Sequence, residues 1–134
     1  MIGYVMVGTN DLDQSIKFYD KLLEVLDLER TENDEVCAGY SPKNSNGKIE
    51  FYVTKPFNKE KATVGNGCQI SFKTSSRELV DKFHDVGIKL GGASEGSGGE
   101  RPKGSGVYYS YIRDLDGIKS ALLLIINNKC HTIL

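Results

Sequence analysis

Residues 2–26 read IGYVMVGTNDLDQSIKFYDKLLEVL, and they predict the first two elements of the fold. Ile2–Gly8 is rich in β-branched and aromatic residues, which predicts a strand. Thr9-Asn10-Asp11 then offers side chains that cap a helix, and apolar residues recur at helical spacing to about Leu26. A strand is therefore followed directly by a helix with one apolar face.

The same order returns at residues 68–90, which read CQISFKTSSRELVDKFHDVGIKL. Cys68–Thr74 predicts a strand, Ser75 and Glu78 form a capping box, and apolar residues at helical spacing follow. The glycine-rich segment 91–106 is predicted to be a loop. Further short strands are predicted at Leu28–Thr31, Val36–Tyr40, Ile49–Thr54, Val107–Arg113 and Lys119–Ile126.

The repeated order predicts an α+β fold made of two βαβββ modules. We place the modules at about 1–64 and 65–127, with a short frayed tail at 128–134. A chain of 134 residues is expected to form a single domain. With the helices on the outer face, the mixed sheet would form a cup that suits a ligand.

Alternate residues of a strand point to opposite faces, which divides the predicted strands into an aliphatic and a mixed face. The mixed face carries Tyr4, Glu50, Tyr52, Gln69 and Ser71. These side chains either line the cup or are ordinary solvent-facing positions of antiparallel strands. Tyr109 and Tyr111 also share a strand face, and they either contact a ligand or fill the core.

The composition excludes several classes of function. The 17 basic and 18 acidic residues give a net charge of -1, too balanced for sequence-independent nucleic-acid binding. The longest apolar run, 121–126, is too short to span a membrane, and no signal peptide is recognisable, so we expect a cytoplasmic protein. Cys37, Cys68 and Cys130 lack the spacing of a disulfide framework or zinc site, and Cys68 is expected in the core.

Three motifs in order resemble the vicinal oxygen chelate superfamily, which contains glyoxalase I, bleomycin resistance proteins and extradiol dioxygenases. They are the opening strand and helix from Ile2 to Tyr19, the segment Val64–Phe72, and the closing hairpin from Tyr111 through Gly117 with Lys119. The resemblance covers about residues 1–127. It implies paired βαβββ modules around a cupped sheet, often completed in a homodimer.

The resemblance also implies a divalent metal held by four side chains. The corresponding positions carry Tyr4, Tyr52 (or Glu50, if the register differs by two residues), Gln69 and Ala121. Alanine has no donor atom, and a neutral tyrosine hydroxyl is a poor ligand for zinc, nickel or manganese. We therefore expect no metal and no other cofactor.

The first functional hypothesis is a metal-independent protein that binds a small organic molecule in the sheet cup. Arg101, in the glycine-rich loop, would meet an anionic group of the ligand. The expected ligand-binding residues are Tyr4, Tyr52, Gln69, Arg101, Tyr109 and Tyr111. We expect a homodimer with no nucleic-acid or membrane partner.

Two other hypotheses stay open. One is an atypical glyoxalase-like lyase or isomerase in which a buried Glu50 is the catalytic residue and transfers a proton. The other is a module whose cup is an interface for a partner protein. His84 and His131, the two histidines of the chain, suggest no catalytic set.

Overall fold

The computed structural model describes residues 1–126. The helices are α1 (Leu12–Glu24) and α2 (Arg77–Lys89). The strands are β1 (Val5–Gly8), β2 (Leu28–Asn33), β3 (Cys37–Pro42), β4 (Phe51–Thr54), β5 (Ile70–Lys73), β6 (Ala93–Glu100), β7 (Val107–Arg113) and β8 (Lys119–Ile125). The predicted tail 128–134 and residue 127 lie outside the described part of the chain.

The strands form two four-stranded sheets of the same topology, β1-β4-β3-β2 and β5-β8-β7-β6. In each sheet the first two strands run parallel and the other neighbours run antiparallel. One helix packs on each sheet, α1 on the first and α2 on the second. The predicted α+β fold of two βαβββ modules is confirmed; we call the modules module 1 (β1 to β4) and module 2 (β5 to β8).

Side-chain caps begin both helices. Asp11 accepts a hydrogen bond from the backbone N–H of Gln14 at the start of α1. At the start of α2 the cap is Ser76, which accepts from the N–H of Leu79 and donates to Glu78. The predicted capping box was therefore one residue too early, because two adjacent serines offer the same chemistry and only the backbone selects between them.

The core lies between the helices and the sheets and runs through both modules without a break. The ring centroids of Phe51 and Phe72 are 5.9 Å apart, and those of Phe72 and Phe83 are 6.4 Å apart. Phe18 and Tyr19 of α1 pack edge to face within the same core, at 5.2 Å. Aromatic contacts of this kind add to the stabilisation that burial of the rings provides.

The glycine-rich segment was wrongly predicted to be loop, since residues 93–100 form strand β6 along β7. The pairing is irregular, with register shifts around Gly96 and Gly99. A strand ladder uses backbone groups only, so missing side chains do not prevent it. A Cβ atom at Gly98 would meet the carboxylate of Asp81 and the hydroxyl of Tyr108, so a larger residue there would have to displace both side chains.

A buried hydrogen-bond network joins the two modules. The hydroxyl of Tyr19 in α1 donates to the carboxylate of Asp114, which lies in the β7–β8 turn. Asp114 also accepts from the N–H groups of Asp116 and Ile118, both at 2.9 Å. Burial raises the pKa of Asp114, although these hydrogen bonds oppose the shift. The predicted turn at 114–117 is confirmed, and it also serves as the contact with α1.

Neither helix in the described chain is both long and apolar enough to cross a membrane.

Candidate functional site

The strand faces divide as the alternation predicts. On β1, Val7 is buried, whereas Tyr4 just before the strand and Met6 within it are 56% and 48% exposed. On β4, Phe51 and Val53 are buried beneath α1, while Tyr52 is half-buried on the other side. We call the sheet surface opposite the helices the inner face of each module.

The inner face of module 1 is aromatic and acidic. The rings of Tyr4 and Tyr52 meet edge to face with centroids 5.0 Å apart. The hydroxyl of Tyr52 lies 3.4 Å from a carboxylate oxygen of Glu32, and partial burial followed by the charge of Glu32 raises the pKa of Tyr52. Glu50 lies just before β4 and is exposed, which agrees with the solvent-facing alternative and not with the buried side chain that the catalytic hypothesis requires.

The inner face of module 2 is aromatic and basic. The rings of Tyr109 and Tyr111 are stacked, with centroids 5.3 Å apart and planes at 9°. The guanidinium carbon of Arg101 and the ammonium of Lys119 lie 5.2 Å and 5.1 Å from the centroid of Tyr111. Both distances suit cation–π attraction. Burial raises the pKa of Tyr111, and the charge of Arg101 opposes this shift.

Arg101 holds the backbone of its own module. Its guanidinium donates to the carbonyl oxygens of Ser97, Gly99 and Tyr109 at 2.6, 3.3 and 2.8 Å. These bonds tie the irregular strand β6 to β7. Arg101 thus has a structural task that its position in the sequence did not indicate.

A cleft separates the facing edges of β1 and β5. Val5 and Thr9 donate their backbone N–H groups to carbonyl oxygens on the β4 side of β1. The N–H and C=O groups of Met6 and Gly8 therefore point away from β4, toward the cleft. The cleft holds a cavity of about 430 Å³. Its lining is Val5, Met6, Val7, Gly8, Thr63, Val64, Gly65, Cys68, Gln69, Ile70, Ile118 and Lys119.

A second cavity of about 520 Å³ continues from the cleft toward the β7–β8 turn. It shares Val64, Cys68, Gln69 and Lys119 with the first cavity. Its other lining residues are Asn66, Gly67, Arg113 and Gly117. Cys68 is exposed at this junction, so its predicted place in the core is wrong, because β5 begins two residues after it.

The sequence matches no protein-family model and no curated protein. The structure is similar to that of a glyoxalase/bleomycin resistance protein from Albidiferax ferrireducens, with 38% sequence identity and a TM-score of 0.80. That match covers 91% of this chain and 96% of the other.

The chain belongs to the glyoxalase/bleomycin resistance protein family. This membership agrees with the resemblance to the vicinal oxygen chelate superfamily.

Two more distant structures share the glyoxalase/bleomycin resistance fold. A glyoxylase/bleomycin resistance protein/dioxygenase domain from Frankia is 18% identical, with a TM-score of 0.73 and coverage of 98% of this chain and 96% of that one. A glyoxalase/bleomycin resistance protein/dioxygenase family enzyme from Burkholderia phytofirmans is 16% identical, with a TM-score of 0.70 and coverage of 92% and 98%. At these identities the likeness concerns the fold alone.

The metal positions that the superfamily implies are not chemically suited to a divalent ion in this member of the glyoxalase/bleomycin resistance family. Ala121 is fully buried and has no donor atom, and the rings of Tyr4 and Tyr52 pack against each other. Gln69 donates its amide to Ser71 at 3.0 Å. Within residues 1–126, no group of three or more His, Cys, Asp or Glu side chains could hold a metal ion.

Of the residues predicted for the site of this glyoxalase/bleomycin resistance protein, Gln69 lines both cavities. The others lie on the inner faces to either side and line neither cavity: Tyr4, Glu50 and Tyr52 in module 1, and Arg101, Tyr109 and Tyr111 in module 2. Sequence reasoning did not select Lys119, Val64 or Cys68 for the site. Lys119 was visible as part of the closing hairpin motif, but no residue pattern linked it to Gln69.

Proposed function

We propose that this member of the glyoxalase/bleomycin resistance family binds a small organic molecule in the β1–β5 cleft without a divalent metal. The observation that carries the proposal is the cavity of about 430 Å³ between the two modules. Pockets for small ligands commonly have volumes in the range of about 300–1,000 Å³.

The lining of the cleft supports an organic ligand. Val5, Met6 and Ile118 offer apolar surface, while the amide of Gln69 and the ammonium of Lys119 offer a few polar contacts. A mainly apolar wall with a small number of polar groups is the usual composition of a ligand site. The tyrosines of the two inner faces extend this surface on either side, where they would contact a larger ligand.

A cavity-filling substitution tests the proposal. Val64 is 41% exposed and lines both cavities, whereas Val36 is 53% exposed near the β2–β3 turn and lines neither. We expect V64W to lose most of the binding of the neutral fluorescent probe N-phenyl-1-naphthylamine, and V36W to bind it like the wild type. Equal binding by both variants and the wild type would place the probe elsewhere and contradict the proposal.

The metal-independent part of the proposal has its own measurement. Dialysis against a chelator should leave the affinity for N-phenyl-1-naphthylamine unchanged, because the donor set around Tyr4, Gln69 and Ala121 does not suit a divalent ion. Elemental analysis should find no zinc, nickel, iron or manganese near one ion per chain. A stoichiometric metal that disappears in Q69A would overturn this part.

We also propose a homodimer. Apolar side chains are exposed along the open β1 edge, where Ile2, Tyr4 and Met6 are 81%, 56% and 48% exposed. An open strand edge with apolar neighbours is a surface that proteins usually cover. Native mass spectrometry of freshly purified protein would report the assembly together with any retained ligand, and a monomer at micromolar concentration would contradict the dimer.

The alternative of a lyase or isomerase rests on Glu50 as the proton-transferring group. Its exposure on the inner face of module 1 removes the burial on which that role depended. If a substrate were found, E50Q would be the variant to compare, since it keeps the shape of the side chain but removes its charge. Unchanged turnover in E50Q would rule out this role.

A further inference from the structure

The lining of the cavity next to the β7–β8 turn carries cationic side chains and no carboxylate. Its lining contains the cations Arg113 and Lys119 and the amides of Asn66 and Gln69, and it contains no aspartate or glutamate. The adjoining cleft is lined mainly by aliphatic side chains and Met6. One end of the combined space is therefore apolar, and the other is basic.

Lys119 is the cation best placed to meet a ligand. Arg113 already donates to Glu95 at 2.6 Å and to the carbonyl oxygen of Gly117 at 2.9 Å, so its guanidinium is anchored. Lys119 is half-buried and lines both cavities. Its ammonium lies over the ring of Tyr111, but it has no carboxylate within 4.0 Å among residues 1–126. A cation at a partly closed site interacts more strongly with an anion than one in open water does.

We propose that the ligand is an amphipathic organic anion, with its apolar body in the β1–β5 cleft and its carboxylate or sulfonate group at Lys119 and Gln69. This inference rests on the proposed function and adds the class of ligand. The ammonium supplies a charge-assisted hydrogen bond, and the amide of Gln69 has a second N–H beside the one that it donates to Ser71.

The register of the two sheets explains why the anion binds at module 2. In the two parallel strand pairs, Phe51 lies opposite Val5 and Ser120 lies opposite Ile70. Glu50 precedes Phe51 and Lys119 precedes Ser120, so these two residues occupy equivalent positions. An anion at the equivalent place in module 1 would meet a like charge, which disfavours binding there. The proposal thus gives a single orientation of the ligand across the cleft.

Two matched fluorescent probes test the inference. The anion 8-anilinonaphthalene-1-sulfonate and the neutral N-phenyl-1-naphthylamine share the same ring skeleton and differ in the sulfonate. We expect K119Q to weaken binding of the anion about tenfold more than it weakens binding of the neutral probe, as the loss of one charge-assisted hydrogen bond predicts. K119R should retain the anion, and K48Q, an exposed lysine outside both cavities, should behave like the wild type.

The outcomes separate the two proposals. Suppose that the neutral probe binds in the cleft, but K119Q leaves binding of the anion unaffected or weakens binding of both probes equally. That result overturns the charge assignment and leaves the proposed function standing. Failure of both probes to bind, or binding that V64W does not reduce, overturns the proposed function and the inference together. Added salt should weaken the anion selectively, and thermal denaturation should show that K119Q remains folded.

Discussion

Module 1 and module 2 share one topology and one register, yet their inner faces have opposite charges. Glu50 in module 1 and Lys119 in module 2 occupy equivalent positions beside the parallel strand pair. Tyr52 and Ala121, which follow Phe51 and Ser120, are likewise equivalent. Their partners on the neighbouring strands, Gly39 and Tyr111, are therefore equivalent as well. The aromatic side chains accordingly lie on different strands of the two modules.

This difference shows which surface the fold constrains. The helix-facing side of each sheet must be apolar to bury its helix, so Val53 and Leu122 are both fully buried. The inner faces carry no such requirement and have diverged in charge. A basic and an acidic inner face lie on either side of one cleft, and the orientation proposed for the ligand rests on this difference.

The largest expected effect concerns the network that joins the modules. D114A would leave the Tyr19 hydroxyl and two backbone N–H groups without their acceptor in a buried site. We expect a loss of about 3–5 kcal/mol in the free energy of unfolding, measured by urea denaturation followed by circular dichroism. D85A, at an exposed carboxylate on α2, should change it by less than about 0.5 kcal/mol.

The pH dependence of the same site has a definite sign. The folded-state pKa of Asp114 is raised, so the part of its contribution to stability that depends on protonation is fully present below the unfolded-state pKa and is lost as the pH rises through the folded-state pKa. The wild type should therefore lose stability relative to D114N as the pH rises above about 4. A constant difference between the two proteins would show that Asp114 titrates alike in both states.

The next prediction compares the equivalent edge strands β2 and β6. Arg30 of β2 forms an ion pair with Asp20 at 3.1 Å, and both side chains are about one-third exposed. Arg101 directly follows β6, and its guanidinium donates to three backbone carbonyl oxygens. We expect R101A to cost about 1–2 kcal/mol and R30A less than about 1 kcal/mol of unfolding free energy. Hydrogen exchange of β6 should accelerate in R101A, and an equal cost in the two variants would contradict the comparison.

The smallest expected effect uses Cys37 and Cys68, the free cysteines among residues 1–126, as reporters of the two surfaces. Partial burial, followed by the charges of Asp34 and Glu32, raises the pKa of Cys37, whereas Cys68 is exposed at the cleft. A raised pKa lowers the thiolate fraction at pH 8, so iodoacetamide should modify Cys68 roughly tenfold faster than Cys37. Peptide mass spectrometry reads out both sites separately.

Two changes sharpen this measurement. Raising the pH should reduce the ratio of the two rates, because the thiolate fraction of Cys37 continues to grow. E32Q removes one of the charges that raise the pKa of Cys37, so it should speed modification of Cys37 and leave Cys68 unchanged. If E32Q accelerates modification of both thiols equally, the acidity of the inner face of module 1 is not the cause of the slower modification of Cys37.

Prediction from the sequence succeeded where the signal was local. The apolar spacing of α1 and the alternation of β1 and β4 identified their buried sides, because each element must bury one face whatever its neighbours are. It failed for β6, whose glycines carry no side-chain pattern, and for Cys68, which lies just outside the strand to which it was assigned. For Glu50 the alternation predicts a face, but it does not indicate that the side chain is exposed.

The order of the elements, the buried side of each element and the resemblance to a family can all be read from the residues alone. Which polar residues meet is a property of the folded chain. Tyr19 and Asp114 are 95 positions apart, and Lys119 reaches the cleft from a strand whose partner β5 begins at Ile70. The physical reason is that burial imposes a period on each strand and helix, whereas a contact between two modules depends on how their sheets lie in space. No local pattern of residues records that arrangement.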